Sequence, residues 1–139
     1  MLFYVPLAYE VDTSRMIDRA QTLGKRVCVP VTLVSQRRLV VSELHDRERE
    51  LAPGPHGVRQ PAPSYIRPVD PNTVDLVVVP GVGFDAQGHR LGHGLGYYDR
   101  LLRRLPATTP RIGLAFRCQI VPRIPRAAHD VTLSRVLIA

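Results

Sequence analysis

Three glycines at alternate positions, Gly92, Gly94 and Gly96, directly precede two tyrosines and an aspartate in the stretch HRLGHGLGYYDR. Glycine loses more backbone entropy on folding than any other residue, so such a cluster indicates that the local geometry requires it. Successive backbone N–H groups in a segment of this kind form a concave binding surface for anions. Residues 97–105, which follow, have the apolar spacing of a helix. The combination predicts a phosphate site that runs into the start of a helix.

The same residues have a purely structural explanation. In that explanation the glycines form a tight turn before an amphipathic helix, Tyr97 and Tyr98 are core residues, and Asp99 is favoured by the helix dipole. The stretch also matches neither common nucleotide fingerprint. The G-x-G-x-x-G motif has a different spacing, and a P-loop needs Lys and then Ser or Thr directly after its last glycine. Both explanations stay open on this stretch alone.

Apolar runs typical of strands alternate with helical patterns along the chain. Strands are predicted over residues 2–7, 26–34, 37–44, 74–80, 111–116 and 131–138. Residues 74–80 give the clearest buried strand, since they are apolar on both faces, as in a parallel sheet. The alternation predicts an α/β fold, a Rossmann-like three-layer α/β/α sandwich with a largely parallel mixed sheet.

Two further segments of the chain lie outside these strands. A helix is predicted over residues 12–25, with Asp12 or Thr13 as its cap and Gly24 at its end. The residues predicted to form its apolar stripe are Met16, Ile17, Ala20 and Leu23. Six prolines recur within residues 52–71, so this segment is predicted to be a long ordered loop without regular structure.

This layout predicts where polar side chains meet. Ligands of open α/β sheets bind outside the carboxyl ends of the strands. Glu10 follows the first predicted strand, and residues 90–99 follow the strand that ends at Pro80. Two segments that are distant in sequence should therefore converge on one edge of the sheet, which favours the functional explanation of the glycines.

Length and composition predict one soluble globular domain, residues 1–139. Hydrophobic residues make up 45% of the chain and charged residues 22%. No apolar run approaches the roughly 18 residues of a membrane span. The start of the chain lacks the basic region and cleavage site of a signal peptide, so a cytoplasmic location without a membrane partner is predicted. Cys28 and Cys118 lack metal-ligand spacing and are predicted to be buried thiols.

The net charge of +7 comes from 19 basic residues against 12 acidic ones, and all the basic residues except Lys25 are arginine. This balance favours anionic partners, such as phosphorylated or polycarboxylate ligands. The arginines are scattered and are not interleaved with aromatic residues, so a nucleic-acid partner is not expected. A monomer or weak dimer is expected.

Residues 74–102, VDLVVVPGVGFDAQGHRLGHGLGYYDRLL, closely resemble the signature of the 5-formyltetrahydrofolate cyclo-ligase family. The resemblance extends to four further stretches: YVPLAYEVDT, GKRVCVPV, GVRQP and IGLAFRCQIVPRIPRAAHDVTL. It covers nearly the whole chain. It implies ATP-dependent conversion of 5-formyltetrahydrofolate to 5,10-methenyltetrahydrofolate, with ADP and phosphate as the other products. A non-catalytic folate-binding protein on the same fold and a basic nucleic-acid-binding domain are the competing hypotheses.

The resemblance also implies roles for individual residues. Those implied to act in catalysis are Arg90 and Tyr97. Those implied to bind ATP are Arg90, Leu91, Gly92, His93, Gly94, Leu95, Gly96, Tyr97 and Tyr98. Those implied to bind the folate are Val5, Glu10, Gln60, His93, Gly94, Leu95, Gly96 and Tyr97. Asp99 and Asp130 are implied to hold Mg²⁺, which commonly takes one or two carboxylates together with phosphates.

The chain departs from the family pattern in ways that concern the ATP site. Family members carry helices before the first strand that supply Lys and Arg to the phosphates, so this chain is expected to be an N-terminally shortened form. His93, Leu95 and Ser134 also differ from residues common in the family. The expected result is measurable folate binding with slow cyclisation. His129 is expected to be structural, and no role is predicted for His45, His56 or His89.

Overall fold

A mixed, mostly parallel sheet forms the centre of the computed structural model, which describes residues 1–139. The strands are β1 (Cys28–Leu33), β2 (Arg38–Glu43), β3 (Leu51–Pro53), β4 (Arg59–Pro61), β5 (Val77–Val79), β6 (Gly83–Phe84), β7 (Arg90–Leu91), β8 (Arg111–Ala115) and β9 (Arg135–Ile138). The α-helices are α1 (Ser14–Thr22), α2 (Arg47–Glu50) and α3 (Tyr97–Leu102). None of these helices has the length and apolar character needed to cross a membrane.

The central sheet has the strand order β2–β1–Leu2–β5–β8–β9. Strands β5, β8 and β9 are parallel, with Val77 opposite Arg111 and Ile112 opposite Arg135. Strand β2 pairs with β1 in the antiparallel direction. The two halves are joined through Leu2, which forms parallel bridges to Cys28 and to Val77. The sheet is therefore parallel except at the β2 edge.

Helices cover both faces of this sheet. Successive strand residues point to opposite faces, and in β5 Val77 and Val79 pack in one apolar cluster while Val78 packs in the other. The first cluster contains Leu101 and Leu102, around α3, and the second contains Ile17 of α1. The prediction of a three-layer α/β/α sandwich with a largely parallel mixed sheet is confirmed.

The predicted first strand, residues 2–7, is reduced to the single bridge residue Leu2. Beyond Phe3, whose N–H donates to Cys28 O, the chain leaves the sheet although its side chains stay buried. The carbonyl of Tyr4 accepts the hydroxyl of Thr13 at 2.7 Å instead of a strand N–H. Pro6 has no N–H to offer a neighbouring strand. An apolar run therefore identified a buried segment but not a strand.

Helix α1 is shorter than the predicted 12–25. Ile17 and Ala20 are buried as expected, but Met16 and Leu23 are 40% and 56% exposed, so the predicted apolar stripe is too wide. Asp12 accepts the N–H of Ser14. Thr13 lies at the cap position but uses its hydroxyl elsewhere, so it does not cap the helix through its side chain.

The prediction that residues 52–71 lack regular structure is wrong. Strands β3 and β4 form a small antiparallel hairpin in which Leu51 lies opposite Pro61 and Ala52 opposite Gln60. Pro53 and Pro61 stand at the ends of these three-residue strands, where a missing N–H costs least. Short strands at the edge of a sheet tolerate proline at their ends. The prediction assumed that recurring prolines exclude any strand.

Several other boundaries differ from their predictions. The predicted strands 74–80 and 131–138 shrink to β5 and β9, and the helix predicted to end near residue 105 ends at Leu102. The predicted loop 81–96 contains the β6–β7 hairpin, with Phe84 opposite Arg90. Cys28 is buried as predicted, whereas Cys118 is exposed, so the prediction for Cys118 is wrong.

Candidate functional site

A cavity of about 410 Å³ opens where the parallel part of the sheet reaches its carboxyl edge. Pro80 and Gly81 follow β5, Thr32 lies near the end of β1, and Val5 and Glu10 follow the bridge at Leu2. This is the edge at which the sequence predicted that two distant polar segments converge. The predicted site residues that line the cavity are Val5, Glu10, Arg90, Leu91, Gly92, His93, Gly94, Leu95, Gly96, Tyr97, Tyr98, Asp99 and Asp130.

Gln60 is the one predicted site residue that does not line this cavity. Its side-chain oxygen accepts the N–H of Thr32 at 2.9 Å, and Thr32 does line the cavity. Gln60 therefore joins β4 to β1 and supports Thr32, which lines the cavity.

Arg90 lies in β7 with its guanidinium packed inside the site. The side chain is only 6% exposed, and Nη2 donates to Asp99 Oδ2 at 3.2 Å. The guanidinium carbon lies 5.6 Å from the centre of the Tyr98 ring. The Nε atom is buried and has no hydrogen-bond partner in the chain. The cation is thus anchored by the Asp99 carboxylate, the Tyr98 ring and the Pro80 carbonyl, which accepts from Nη1 at 3.4 Å.

Two glycines make room for this arginine. A Cβ added to Gly92 would lie 2.8 Å from Arg90 Nη1, and one added to Gly81 would lie 2.9 Å from Arg90 Cγ. Gly92 is therefore required by a close approach within the chain. Gly94 differs from both, because its φ is +84° and no atom lies within 4 Å of the position of an added Cβ.

The backbone of residues 92–96, here called the glycine segment, is open toward the cavity. None of its N–H groups donates a hydrogen bond to another atom of the chain. Unpaired N–H groups are costly when they are buried away from water, and here they belong to residues that line the cavity. The anion site that the glycine spacing predicted stays a prediction.

Asp85 fixes the turn that delivers Arg90 to the site. Its carboxylate is fully buried and accepts the N–H groups of Gln87, His89 and Ile124 and the imidazole Nδ1 of His89. Burial by itself raises the pKa of Asp85, but the hydrogen bonds from Ile124 and His89 outweigh it and lower the pKa to about 2. The bond to Ile124 also ties the β6–β7 turn to the segment that carries Asp130. His89, for which the sequence predicted no role, is part of this anchor.

Glu10 presents a second carboxylate to the cavity, from the segment that follows Leu2. Its Oε2 accepts the N–H of Leu7 at 2.8 Å, which leaves Oε1 without a partner in the chain. Burial raises the pKa of Glu10 above its usual 4.5, against the opposing effects of the Leu7 N–H and of His93. Burial likewise raises the pKa of the Tyr4 and Tyr98 hydroxyls, so both stay protonated at neutral pH.

Asp99 and Asp130 are the two carboxylates predicted to hold a metal ion. Asp99 accepts from Arg90 and, at 3.4 Å, from the N–H of Val131. Asp130 accepts the N–H of Ala127 at 2.7 Å. No group of three or more His, Cys, Asp or Glu side chains could hold a metal ion by itself. A cation held here would draw its other ligands from a bound phosphate and water.

Three cavity residues have positions that the sequence reasoning missed. Tyr9 donates or accepts at 3.0 Å from His93 Nε2, across the mouth of the cavity. His56 packs against Tyr97 with ring centres 6.0 Å apart. His129, expected to be structural, lines the cavity beside Asp130. The strand-edge rule that found Glu10 would also have found Tyr9, whereas nothing local to His56 indicates that the proline-rich segment folds over the site.

Comparison with known proteins gives a family match over the whole chain. The profile of the 5-formyltetrahydrofolate cyclo-ligase family matches residues 1–139. A probable 5-formyltetrahydrofolate cyclo-ligase of Caenorhabditis elegans is 34% identical over 143 residues, which cover 96% of this chain and 69% of the relative. The 5-formyltetrahydrofolate cyclo-ligase of Escherichia coli K12 is 34% identical over 131 residues, which cover 92% of this chain and 71% of the relative.

A solved structure gives the same result for the fold. The Aquifex aeolicus 5,10-methenyltetrahydrofolate synthetase has a TM-score of 0.77 and 32% sequence identity, and the match covers 97% of this chain and 66% of that one. The chain thus spans between about two thirds and 71% of the length of these relatives.

Proposed function

Since the chain belongs to the 5-formyltetrahydrofolate cyclo-ligase family, we propose that it cyclises 5-formyltetrahydrofolate to 5,10-methenyltetrahydrofolate in the cytoplasm, with hydrolysis of ATP to ADP and phosphate. The observation that carries the proposal is that two different polar walls face one cavity. One wall offers Arg90 and the free N–H groups of the glycine segment, and the other offers the Glu10 carboxylate. The first suits phosphates and the second suits a heterocycle rich in N–H donors.

The phosphate wall contains the groups that phosphoryl transfer requires. That reaction depends mainly on positioning and on neutralisation of charge rather than on covalent chemistry by the protein. Arg90 supplies a nearly buried cation that lines the cavity. The N–H groups of residues 92–96 supply neutral donors at fixed positions. Tyr98, which packs against both apolar clusters, supports the Arg90 guanidinium with its ring.

The folate wall is formed by the segment that follows Leu2. Val5 contributes apolar surface, and Glu10 directs its free Oε1 to pterin N–H groups. Tyr97 lies at the junction of the two walls, packed against His56 on one side and Arg100 on the other. In this arrangement Tyr97 is placed to hold the formyl group against the phosphates.

The reaction then proceeds in two steps. The formyl oxygen attacks the terminal phosphorus of ATP, and ADP leaves, which converts a poor leaving group into a phosphate ester. The neighbouring folate amine attacks the formyl carbon, the ring closes, and inorganic phosphate leaves with the former formyl oxygen. Arg90 neutralises the phosphoryl oxygens.

Mg²⁺ fits the acidic side of the cavity. Asp99 and Asp130 would hold it, and two carboxylates with bound phosphates and water are its usual ligands. When bound, the ion neutralises charge on the phosphates. Asp99, one of these two carboxylates, already accepts from Arg90 Nη2 at 3.2 Å.

Glu10→Gln is expected to weaken folate binding by about ten- to a hundredfold, the value of a lost hydrogen bond to a charged group. ATP affinity should stay unchanged, because Glu10 forms no hydrogen bond with Arg90 or with the glycine segment. Calorimetric titrations with each ligand test this, with Glu48→Gln as the control because Glu48 is 72% exposed outside the cavity.

Folate binding by the wild-type protein is expected to weaken as the pH is lowered. The pKa of Glu10 is raised above 4.5, so its carboxylate is lost at a higher pH than that of an ordinary glutamate as the solution is acidified. As the pH is lowered, the affinity of the wild-type protein for the folate should therefore begin to fall at a pH that is still above 4.5. The Glu10→Gln variant should not show this fall. An unchanged folate affinity and pH profile in the variant would contradict the orientation proposed for the pterin.

A further inference from the structure

The glycine segment is held to the rest of the protein by few hydrogen bonds, and one residue, Arg100, supplies most of them. No backbone–backbone hydrogen bond involves residues 92–95, as donor or as acceptor. Apart from the exposed contact of His93 with Tyr9, the bonds to this segment come from Arg100. Arg100 Nη2 donates to Leu95 O at 2.8 Å, and the Arg100 backbone N–H donates to Gly96 O at 3.1 Å.

The other contacts of Arg100 anchor it to a different part of the chain. Its Nε donates at 2.8 Å to the carbonyl of Arg37, in the turn between β1 and β2. Its guanidinium carbon lies 5.4 Å from the centre of the Tyr97 ring. A Cβ added to Gly96 would lie 3.0 Å from Arg100 Nη1, so glycine at this position allows the side chain to cross.

We infer that Arg100 is a positioning residue, which fixes the glycine segment against the β1–β2 turn so that the free N–H groups of residues 92–96 point into the cavity. This inference rests on the proposed function for the identity of the bound anion, the phosphates of ATP. It assigns to Arg100 no contact with substrate. Its donors are engaged by two carbonyl groups of the chain, and it forms no ion pair with a carboxylate.

The geometry depends on the guanidinium shape rather than on its charge. Arginine presents several N–H donors in a rigid planar fork, whereas lysine presents a point charge on a flexible stem. Nε and Nη2 point in different directions and reach carbonyls that are 58 residues apart in sequence, Arg37 and Leu95. An ammonium group at this position keeps the charge but cannot reproduce both bonds in one fixed orientation.

The test compares Arg100→Lys and Arg100→Gln with the matched pair Arg103→Lys and Arg103→Gln. Arg103 is exposed directly after α3 and has no side-chain hydrogen bond or ion pair. Two readouts are measured for each full-length variant. Kinetics give KM for ATP and for 5-formyltetrahydrofolate separately, and amide NMR spectra without ligand report on Gly92, Gly94 and Gly96.

Both Arg100 variants are expected to raise KM for ATP by about ten- to a hundredfold, because small displacements of positioning groups have effects of that size. KM for the folate should change far less, and the glycine amide signals should shift or broaden in both variants. The Arg103 variants should match the wild type in every readout. A merely structural role would lower thermal stability without this separation of the two KM values.

Two results would overturn the inference. If Arg100→Lys retains the wild-type KM for ATP while Arg100→Gln does not, then ATP binding depends on the positive charge of Arg100 and not on the planar arrangement of its N–H donors. If both variants leave the glycine amide signals unchanged, Arg100 does not position the segment. The proposed function is tested separately, because the NMR readout needs no turnover: altered glycine signals support the positioning role even in a chain that forms no methenyl product.

Discussion

Arg90→Met is expected to lower kcat/KM for ATP by about 10²- to 10³-fold, the usual cost of removing one group that stabilises developing charge. The guanidinium is 6% exposed and lies on the phosphate wall, so no solvent cation can replace it easily. Its removal also leaves Asp99 without its partner, next to an anionic ligand. Methionine retains most of the length of the side chain and fills the space with an apolar, adaptable group.

Two further variants separate the causes of this loss. Arg103→Met removes an equal charge from an exposed position and should behave as the wild type. The single variant Asp99→Asn keeps the guanidinium but removes a carboxylate proposed to hold Mg²⁺, so it should also weaken the binding of Mg·ATP. Steady-state kinetics give these values, and circular dichroism verifies that each variant is folded. Wild-type kcat/KM in folded Arg90→Met would contradict the role assigned to the arginine.

Gly94→Val is expected to weaken ATP binding by about ten- to a hundredfold while the fold is retained. The φ of +84° is one that a β-branched residue adopts only with strain, so valine forces the segment into another conformation. A Cβ at this position meets no atom within 4 Å, so the substitution does not disrupt packing. The displaced N–H groups and the isopropyl group in the open cavity both act against the phosphates.

Gly24→Val is a matched control for this variant. Gly24 has a φ of +70°, and an added Cβ there also meets nothing within 4 Å, but the residue follows α1 and does not line the cavity. Both variants should lose similar stability in a denaturant titration, and only Gly94→Val should lose affinity for ATP by calorimetry. Equal ATP affinities in the two variants would show that the glycine segment does not contact the nucleotide.

The parts of the fold that could be predicted from sequence are those in which one local pattern dominates. Val77 and its neighbours are apolar on both faces, which identified the central strand and, with the alternation of strands and helices, the three-layer architecture. The glycine spacing and the strand-edge rule located residues 90–99 and Glu10 on one cavity. In each case the physical cause, burial or backbone geometry, acts on a short stretch of chain.

The remaining features depend on contacts between distant residues. Gln60 was implied to bind folate, but its oxygen is used by the Thr32 N–H, a partner 28 residues away. His56 reaches the cavity only because β3 and β4 pair, and the prolines argued against any pairing there. In the sequence, Arg100 cannot be told apart from the other arginines near the end of its helix. Its role becomes visible only when the structure shows the carbonyls of Arg37 and Leu95 beside it. Such roles follow from tertiary structure and leave no local signal.

The central claim, that this cavity joins ATP hydrolysis to ring closure of the folate, is tested most directly by following both products from the purified chain. The wild-type protein is mixed with 5-formyltetrahydrofolate and Mg·ATP, the methenyl product is followed by its absorbance, and ADP is quantified in the same samples. The account predicts that the methenyl product and ADP form in equal amounts and that neither forms when either substrate is omitted. A chain that binds the folate but forms no methenyl product with ATP present would contradict it and would favour a non-catalytic folate-binding protein.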